Sequence, residues 1–160
     1  MKRWLPFAAA LLLAACAQPR FDTNRTALSV TPQKAAADMA HLEGTRVLWG
    51  GVIVAAHNRE NSTQLEVLGY PLNDRQRPQQ DAKPQQRFLA VKDGYLETAD
   101  YAQGRWITVS GPLTGTRAGR VGEAEYSYPV VRIEDIQLWP KEQRPNEPRF
   151  HFGIGVIFGH

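Results

Sequence analysis

The chain has 160 residues and a single cysteine. That length suits one domain able to bury a core without disulfide or metal staples, and a lone thiol excludes an intramolecular disulfide. The formal net charge of +3 falls to +1 once Lys2 and Arg3 are assigned to a cleavable leader; the remaining charges are mixed in sign, which argues against a nucleic-acid partner, since that would need basic side chains clustered on one face.

The first sixteen residues read as an export signal. Lys2 and Arg3 form a short positive region, Trp4 to Leu13 an apolar one interrupted only by Pro6, and small residues then lead to Cys16. The apolar run is far shorter than the roughly 20 residues of a transmembrane helix. Leu13, Ala14, Ala15 and Cys16 resemble the bacterial lipobox, in which the cysteine thiol is the nucleophile that receives a diacylglyceryl group and its freed amine takes a further acyl chain. Each buried methylene is worth about 0.8 kcal/mol, so two or more chains anchor stably. By resemblance to Gram-negative lipoproteins, Ala17 after the cysteine points to the outer membrane, where an Asp would favour the inner one.

Residues 16–31 read as a lipidated tether, following a signal peptide over 1–15. Thr31 can then cap a short helix with Pro32 at its first position, and Ala35, Ala36, Met39 and Leu42 recur at helical spacing until Gly44. From Arg46 to Ala55 the period becomes two. Val47 and Trp49 share a face with Val52 and Val54 only if Gly50-Gly51 inserts an extra residue, so a bulge is expected there. Thr63 to Tyr70 is the next strand, with Leu65 and Val67 inward. Residues 73–87 are almost wholly polar and read first as disordered, with a binding loop as the alternative.

Arg87 to Lys92 is a short strand turned by Asp93-Gly94, and Thr98 to Ala102 one helical turn closed by Gly104. Arg105 to Gly111 is a strand with Ile107 and Val109 on one face. Thr114 to Gly122 reads as a glycine-rich turn. Glu125 to Tyr128 and Val130 to Trp139 are strands, or one strand bent at Pro129, with a bulge near Glu134-Asp135 to bring Ile136 and Leu138 into phase. The sum is a mainly β chain, a small antiparallel OB-like barrel of five to six strands with a short N-terminal helix, over residues 32–139. Residues 140–160 form a Pro- and charge-rich linker and a Gly/apolar tail.

A search for chemistry finds no Gly-x-Ser-x-Gly elbow, phosphate loop, His-Glu-x-x-His or Cys-x-x-Cys. Lipid consumes Cys16, and His41, His57, His151 and His160 lack metal-ligand spacing. No catalytic residue, metal or cofactor is expected. Trp49, Trp106 and Trp139 could stack on sugar rings, but Trp49 and Trp139 read as packing. Trp106, opposite Ile107 and Val109, and Tyr126 are the candidate ligand surface.

The ordered landmarks Val47-Leu48-Trp49-Gly50-Gly51-Val52-Ile53, Leu65-Glu66-Val67, Tyr70-Pro71-Leu72, Arg87-Phe88-Leu89-Ala90, Gly94-Tyr95-Leu96, Ile107-Thr108-Val109-Ser110-Gly111 and Tyr128-Pro129-Val130-Val131 resemble the Slp family of outer-membrane, starvation-inducible lipoproteins. The resemblance covers roughly residues 42–139 plus the lipobox. It implies an outer-membrane protein of stationary-phase or stress conditions, with no catalytic residues to carry over; only Cys16 transfers. The expected partners are the membrane through covalent lipid, the lipoprotein processing and sorting machinery, and an envelope protein or peptidoglycan. The expected role is a structural, envelope-stress one with the domain facing the periplasm, and the alternative is a periplasmic ligand-binding module for peptidoglycan, oligosaccharide or a protein partner.

Overall fold

A computed structural model describes residues 20–141. Two short helices, α1 (Pro32–Ala37) and α2 (Met39–Leu42), precede six strands: β1 (Arg46–Asn58), β2 (Ser62–Tyr70), β3 (Arg87–Asp93), β4 (Trp106–Val121), β5 (Ala124–Arg132) and β6 (Asp135–Leu138). The helix starts as its sequence dictates. Thr31 Oγ1 accepts the Lys34 amide at 3.2 Å, and Pro32 occupies the first turn, where no amide donor is missed. Asp38 leaves helical geometry and splits the expected single helix in two.

The strands are hydrogen-bonded in the order β1-β2-β3-β5-β4, and β1 also pairs with β4, so the five close into a ring; β6 adds to the far side of β4. The fold is therefore OB-like. One ladder departs from the antiparallel expectation, because β3 and β5 run parallel over Leu89–Val91 and Val130–Arg132. The inward faces supply the core: Val47, Trp49 and Ile53 of β1, Leu65 and Val67 of β2, Phe88 and Ala90 of β3, Ile107 and Val109 of β4, and Val131 of β5. Trp49 meets Phe88 edge-on at 5.1 Å, and its indole donates to the Val30 carbonyl at 2.7 Å.

The expected bulge at Gly50-Gly51 is not there. The β1–β4 register runs unbroken from Arg46↔Pro112 to Val52↔Trp106, and the extra residue in β1 falls between Ile53 and Ala55 instead. Val47, Trp49, Gly51 and Ile53 thus share the inward face, with Val52 and Val54 opposite. Gly51 has another task. A Cβ there would lie 2.0 Å from the Leu68 carbonyl oxygen, so the bare backbone lets β2 close in. Gly111 does the same on β4, where a Cβ would lie 1.8 Å from the Arg132 oxygen.

Four more expectations are corrected. Residues 114–121 are strand, not turn; β4 continues to Val121, and only Gly122-Glu123 reverse the chain into β5. This part of β4 pairs with β5 alone, beyond the core, so its sequence carries no apolar alternation. The break between β5 and β6 is a corner rather than a bulge: the Ile133 amide binds the Val91 carbonyl and the Glu134 amide the Ser110 carbonyl, passing the chain from β3 to β4. Loop 73–87 is not loose. Leu72 and Pro78 form a bridge, Asn73 Oδ1 accepts the Arg75 and Arg77 amides, and the Gln85 amide donates to Gly69. The segment read as tether also joins the domain early, with Phe21 and Val30 buried and the Ala27 amide bound to the Arg46 carbonyl.

Gly51→Ala should cost at least about 2 kcal/mol, because the clash is with backbone that cannot step aside. Gly94→Ala, at a positive φ with open space around it, should cost about 1 kcal/mol. Denaturant midpoints at unchanged m-value check the ranking.

Candidate functional site

The outer surface of β1 is covered by two segments that the sequence reading did not bring together. Residues 23–31 lie over one side and the 72–85 loop over the other. Between them is a cleft of about 400 Å³. Its walls and floor include Leu28, Val30, Leu48, Trp49, Tyr70 and Leu72, with Thr31, Asn73, Asp74 and Gln85 among the polar groups. Gly50 makes the loop's approach possible, since a Cβ there would lie 2.6 Å from Leu72 and 2.8 Å from Pro78.

Gln76 holds the two segments together. Its side-chain oxygen accepts the Phe21 amide and its side-chain nitrogen donates to the Phe21 carbonyl, both at 2.9 Å. A side-chain amide thereby does the work of a strand partner for one residue of main chain. The Gln76 carbonyl accepts Thr108 Oγ1 at 2.7 Å, and Thr108 in turn accepts the Trp139 indole at 3.0 Å. One chain of hydrogen bonds therefore ties the start of the domain, the loop, β4 and the residue after β6. Gln76 reaches this position at φ 59°, the one positive φ among described non-glycine residues, a conformation that costs an L-residue about 1–2 kcal/mol.

A second polar cluster lies on the outer face of β2, β3 and β5. Arg87 donates to Glu66 Oε1 at 2.7 Å, Tyr128 donates to the same oxygen at 3.1 Å, and Tyr126 Oη accepts the Arg87 amide at 2.8 Å. Arg117 reaches Gln64 from the β4–β5 arm. The Glu66 hydrogen bond raises the Arg87 pKa. Burial, followed by the Glu66 carboxylate, pushes the Tyr128 hydroxyl above the usual tyrosine range. Among the described residues, no three His, Cys, Asp or Glu side chains are grouped to hold a metal, and no buried side-chain nitrogen or oxygen lacks a partner.

Trp106 and Tyr126 are not brought together. Trp106 pairs with Val52 at the start of β4, and Tyr126 pairs with Gly119 far along the arm. Trp106 is half-buried on the outer face, edge-on to Tyr70 at 5.0 Å, and Tyr126 leans on Tyr128 at 4.7 Å. Trp49 is core, and Trp139 lies under the Arg77 guanidinium at 5.6 Å. Leu13, Ala14, Ala15, Cys16 and Ala17 lie outside the described residues, as does the tail from residue 142. The cleft went unseen because its walls come from stretches without periodicity. The available signal was Phe21, Leu28 and Val30, three large apolar residues in a segment otherwise read as tether.

The family described as Outer membrane lipoprotein Slp family matches residues 13–157. The lipoprotein YeaY of Escherichia coli K12 is 30% identical over 123 residues, covering 73% of this chain and 63% of that one. The outer membrane protein Slp of the same organism is 28% identical over 96 residues, covering 60% of this chain and 50% of that one. The matches thus span between half and two thirds of those relatives. Among solved structures, the mitochondrial single-stranded DNA-binding protein Rim1 of Saccharomyces cerevisiae aligns with a TM-score of 0.41 at 11% identity, covering 63% of this chain and all of that one.

Gln76→Ala and Gln76→Gly both remove the clamp on Phe21 and should destabilise by about 2–3 kcal/mol and about 1–2 kcal/mol respectively, the glycine being milder because it relieves the positive φ. Denaturation midpoints give the ranking, and limited proteolysis should cut near residues 20–31 in both variants before it does in the wild type. Tyr128, with its folded pKa raised, contributes stability that is complete below about pH 10 and lost as the pH climbs through the folded value. Ultraviolet titration of the phenols should show a late-ionising tyrosine that is missing in Tyr128→Phe.

Proposed function

Because the chain belongs to the Slp family of outer membrane lipoproteins, we propose that Cys16 is the lipidated first residue of the mature protein and that its OB-like domain stands on the periplasmic face of the outer membrane in a non-catalytic, envelope-supporting role. The observation that carries this reading is where the family match begins. It starts at Leu13, the first lipobox residue, and runs through the whole barrel, so cleavage site and domain go together as one unit. Ala17 is the sorting residue in this reading, and the processing and sorting machinery are its first partners.

Attachment through the lipid suits the described residues. None of its helices is long and apolar enough to cross one. Among the described residues its large apolar side chains are nearly all spent on the core, with only Leu28 and Tyr95 well exposed. The polar clusters also suit a structural role. Glu66, Arg87, Tyr126 and Tyr128 satisfy one another across three strands, as groups do when they fix a surface in place.

A second reading, a ligand-binding module, is favoured by the cleft between residues 23–31 and 72–85. Its volume lies within the roughly 300–1,000 Å³ common for small-ligand sites.

Cys16→Ser should move the protein from the membrane fraction to the soluble periplasmic one and abolish incorporation of radiolabelled palmitate. A variant that stays in the membrane fraction as firmly as the wild type would sink the anchor reading.

A further inference from the structure

Resting on the Cys16 anchor, we propose that the cleft over β1 admits an acyl chain of a phospholipid from the leaflet that holds the anchor. The first argument is reach. Phe21 is five residues past Cys16, and at most about 3.6 Å per residue puts it within roughly 18 Å of the lipidated cysteine whatever path the chain takes. Phe21 is buried and clamped by Gln76, so the point where the domain begins is fixed. Gln76 itself lines the cleft. The anchor therefore holds this cleft, and not a random face, next to the bilayer.

The second argument is polarity along the molecule. Of the two large apolar side chains exposed among the described residues, Leu28 (62% exposed) stands on the cleft. Tyr95 stands by Glu60, to whose carbonyl its hydroxyl donates. That is the Ser62 end of β2, whereas the cleft is at the Tyr70 end. Nine residues of strand separate the two ends, roughly 27 Å. The Leu28 end is the one joined to the anchor through the Phe21–Gln76 clamp, and water contact on Leu28 and the cleft walls is removed if a chain fills the space.

The third argument is the chemistry of the lining. It holds no lysine or arginine, so nothing in it would grip a phosphate headgroup, and Asp74 would repel one. No buried side-chain donor or acceptor among the described residues is left unspent; the apolar surface a chain would cover is that of Leu28, Val30, Leu48, Trp49, Tyr70 and Leu72, with Thr31, Asn73, Asp74 and Gln85 among the polar groups beside it. An acyl chain leaves one apolar medium for another, so its own transfer contributes little. Occupancy depends on the wall area covered and on the high local lipid concentration that tethering supplies.

Trp49 lines the cleft and reports on it. The lipidated full chain, carrying Trp106→Phe and Trp139→Phe, is placed in phosphatidylethanolamine–phosphatidylglycerol vesicles with plain or brominated acyl chains. Trp49 emission should fall about twofold in the brominated vesicles, the value for a cleft filled half the time. Leu28→Asp, at an exposed position, should restore the emission while the protein stays with the vesicles. Equal emission in both lipids from vesicle-bound protein would overturn the acyl-chain site alone and leave the anchor intact. Protein recovered free of vesicles would overturn the anchor and this site with it. If the double phenylalanine variant does not fold, the same comparison between wild type and Leu28→Asp, with all tryptophans present, decides the matter: quenching that Leu28→Asp leaves unchanged refutes the site.

Discussion

The ring closes because two backbones are allowed to touch where a side chain would hold them apart. β1 must pair with β2 on one edge and β4 on the other, and a sheet that closes on itself has to curl. At Gly51 the Leu68 oxygen occupies the space a Cβ would take, and at Gly111 the Arg132 oxygen does so. Both glycines face inward among large core residues. Closing the ring converts its edge donors into ladder bonds and encloses Trp49, Phe88 and Ile107 in one core. With that wall set, β1 also offers a flat outer face at Leu48 and Gly50, and there the N-terminal segment and the 72–85 loop come to rest.

Those two coverings are held by hydrogen bonds as well as by the burial of Phe21 and Val30. Gln76 gives both ends of its amide to Phe21 and its carbonyl to Thr108. A buried amide with all its partners rigidifies, and with any of them missing it destabilises. The left-handed backbone of Gln76 costs energy that the surrounding hydrogen bonds must offset, as expected where a residue's position matters more than its comfort. The result is a cleft with pre-set walls, fixed beside the start of the described domain.

What could be read in the sequence was what depends on local period. The core strands β1, β2, β3 and the first half of β4 declare themselves through Val47, Leu65, Val67, Ile107 and Val109, and the helix start through Thr31-Pro32. The second half of β4 could not be read this way, because a two-stranded arm outside the core has no buried face to impose alternation. Gly50-Gly51 was misassigned for a related reason. Two adjacent glycines signal close backbone approach as well as they signal a bulge, and only the neighbouring strand decides which. The cleft was hidden more deeply, since Gln76 and Phe21 are 55 residues apart and nothing in either segment marks the other.

OB-like barrels that hold oligosaccharides or nucleic acids do so on the face of strands 2 and 3 and the adjoining loops. Here the chain itself covers much of that face. Tyr128 is buried against Leu89 and Val130, its hydroxyl is bound to Glu66, and Arg87 and Tyr126 complete the cluster. A ligand arriving there would have to break hydrogen bonds already made and separate the Arg87–Glu66 ion pair. The cleft over β1 shares none of these side chains. Fold alone would direct the search to the conventional face. The hydrogen bonds already made direct it to the other, where a preformed cleft lies beside the clamped start of the domain.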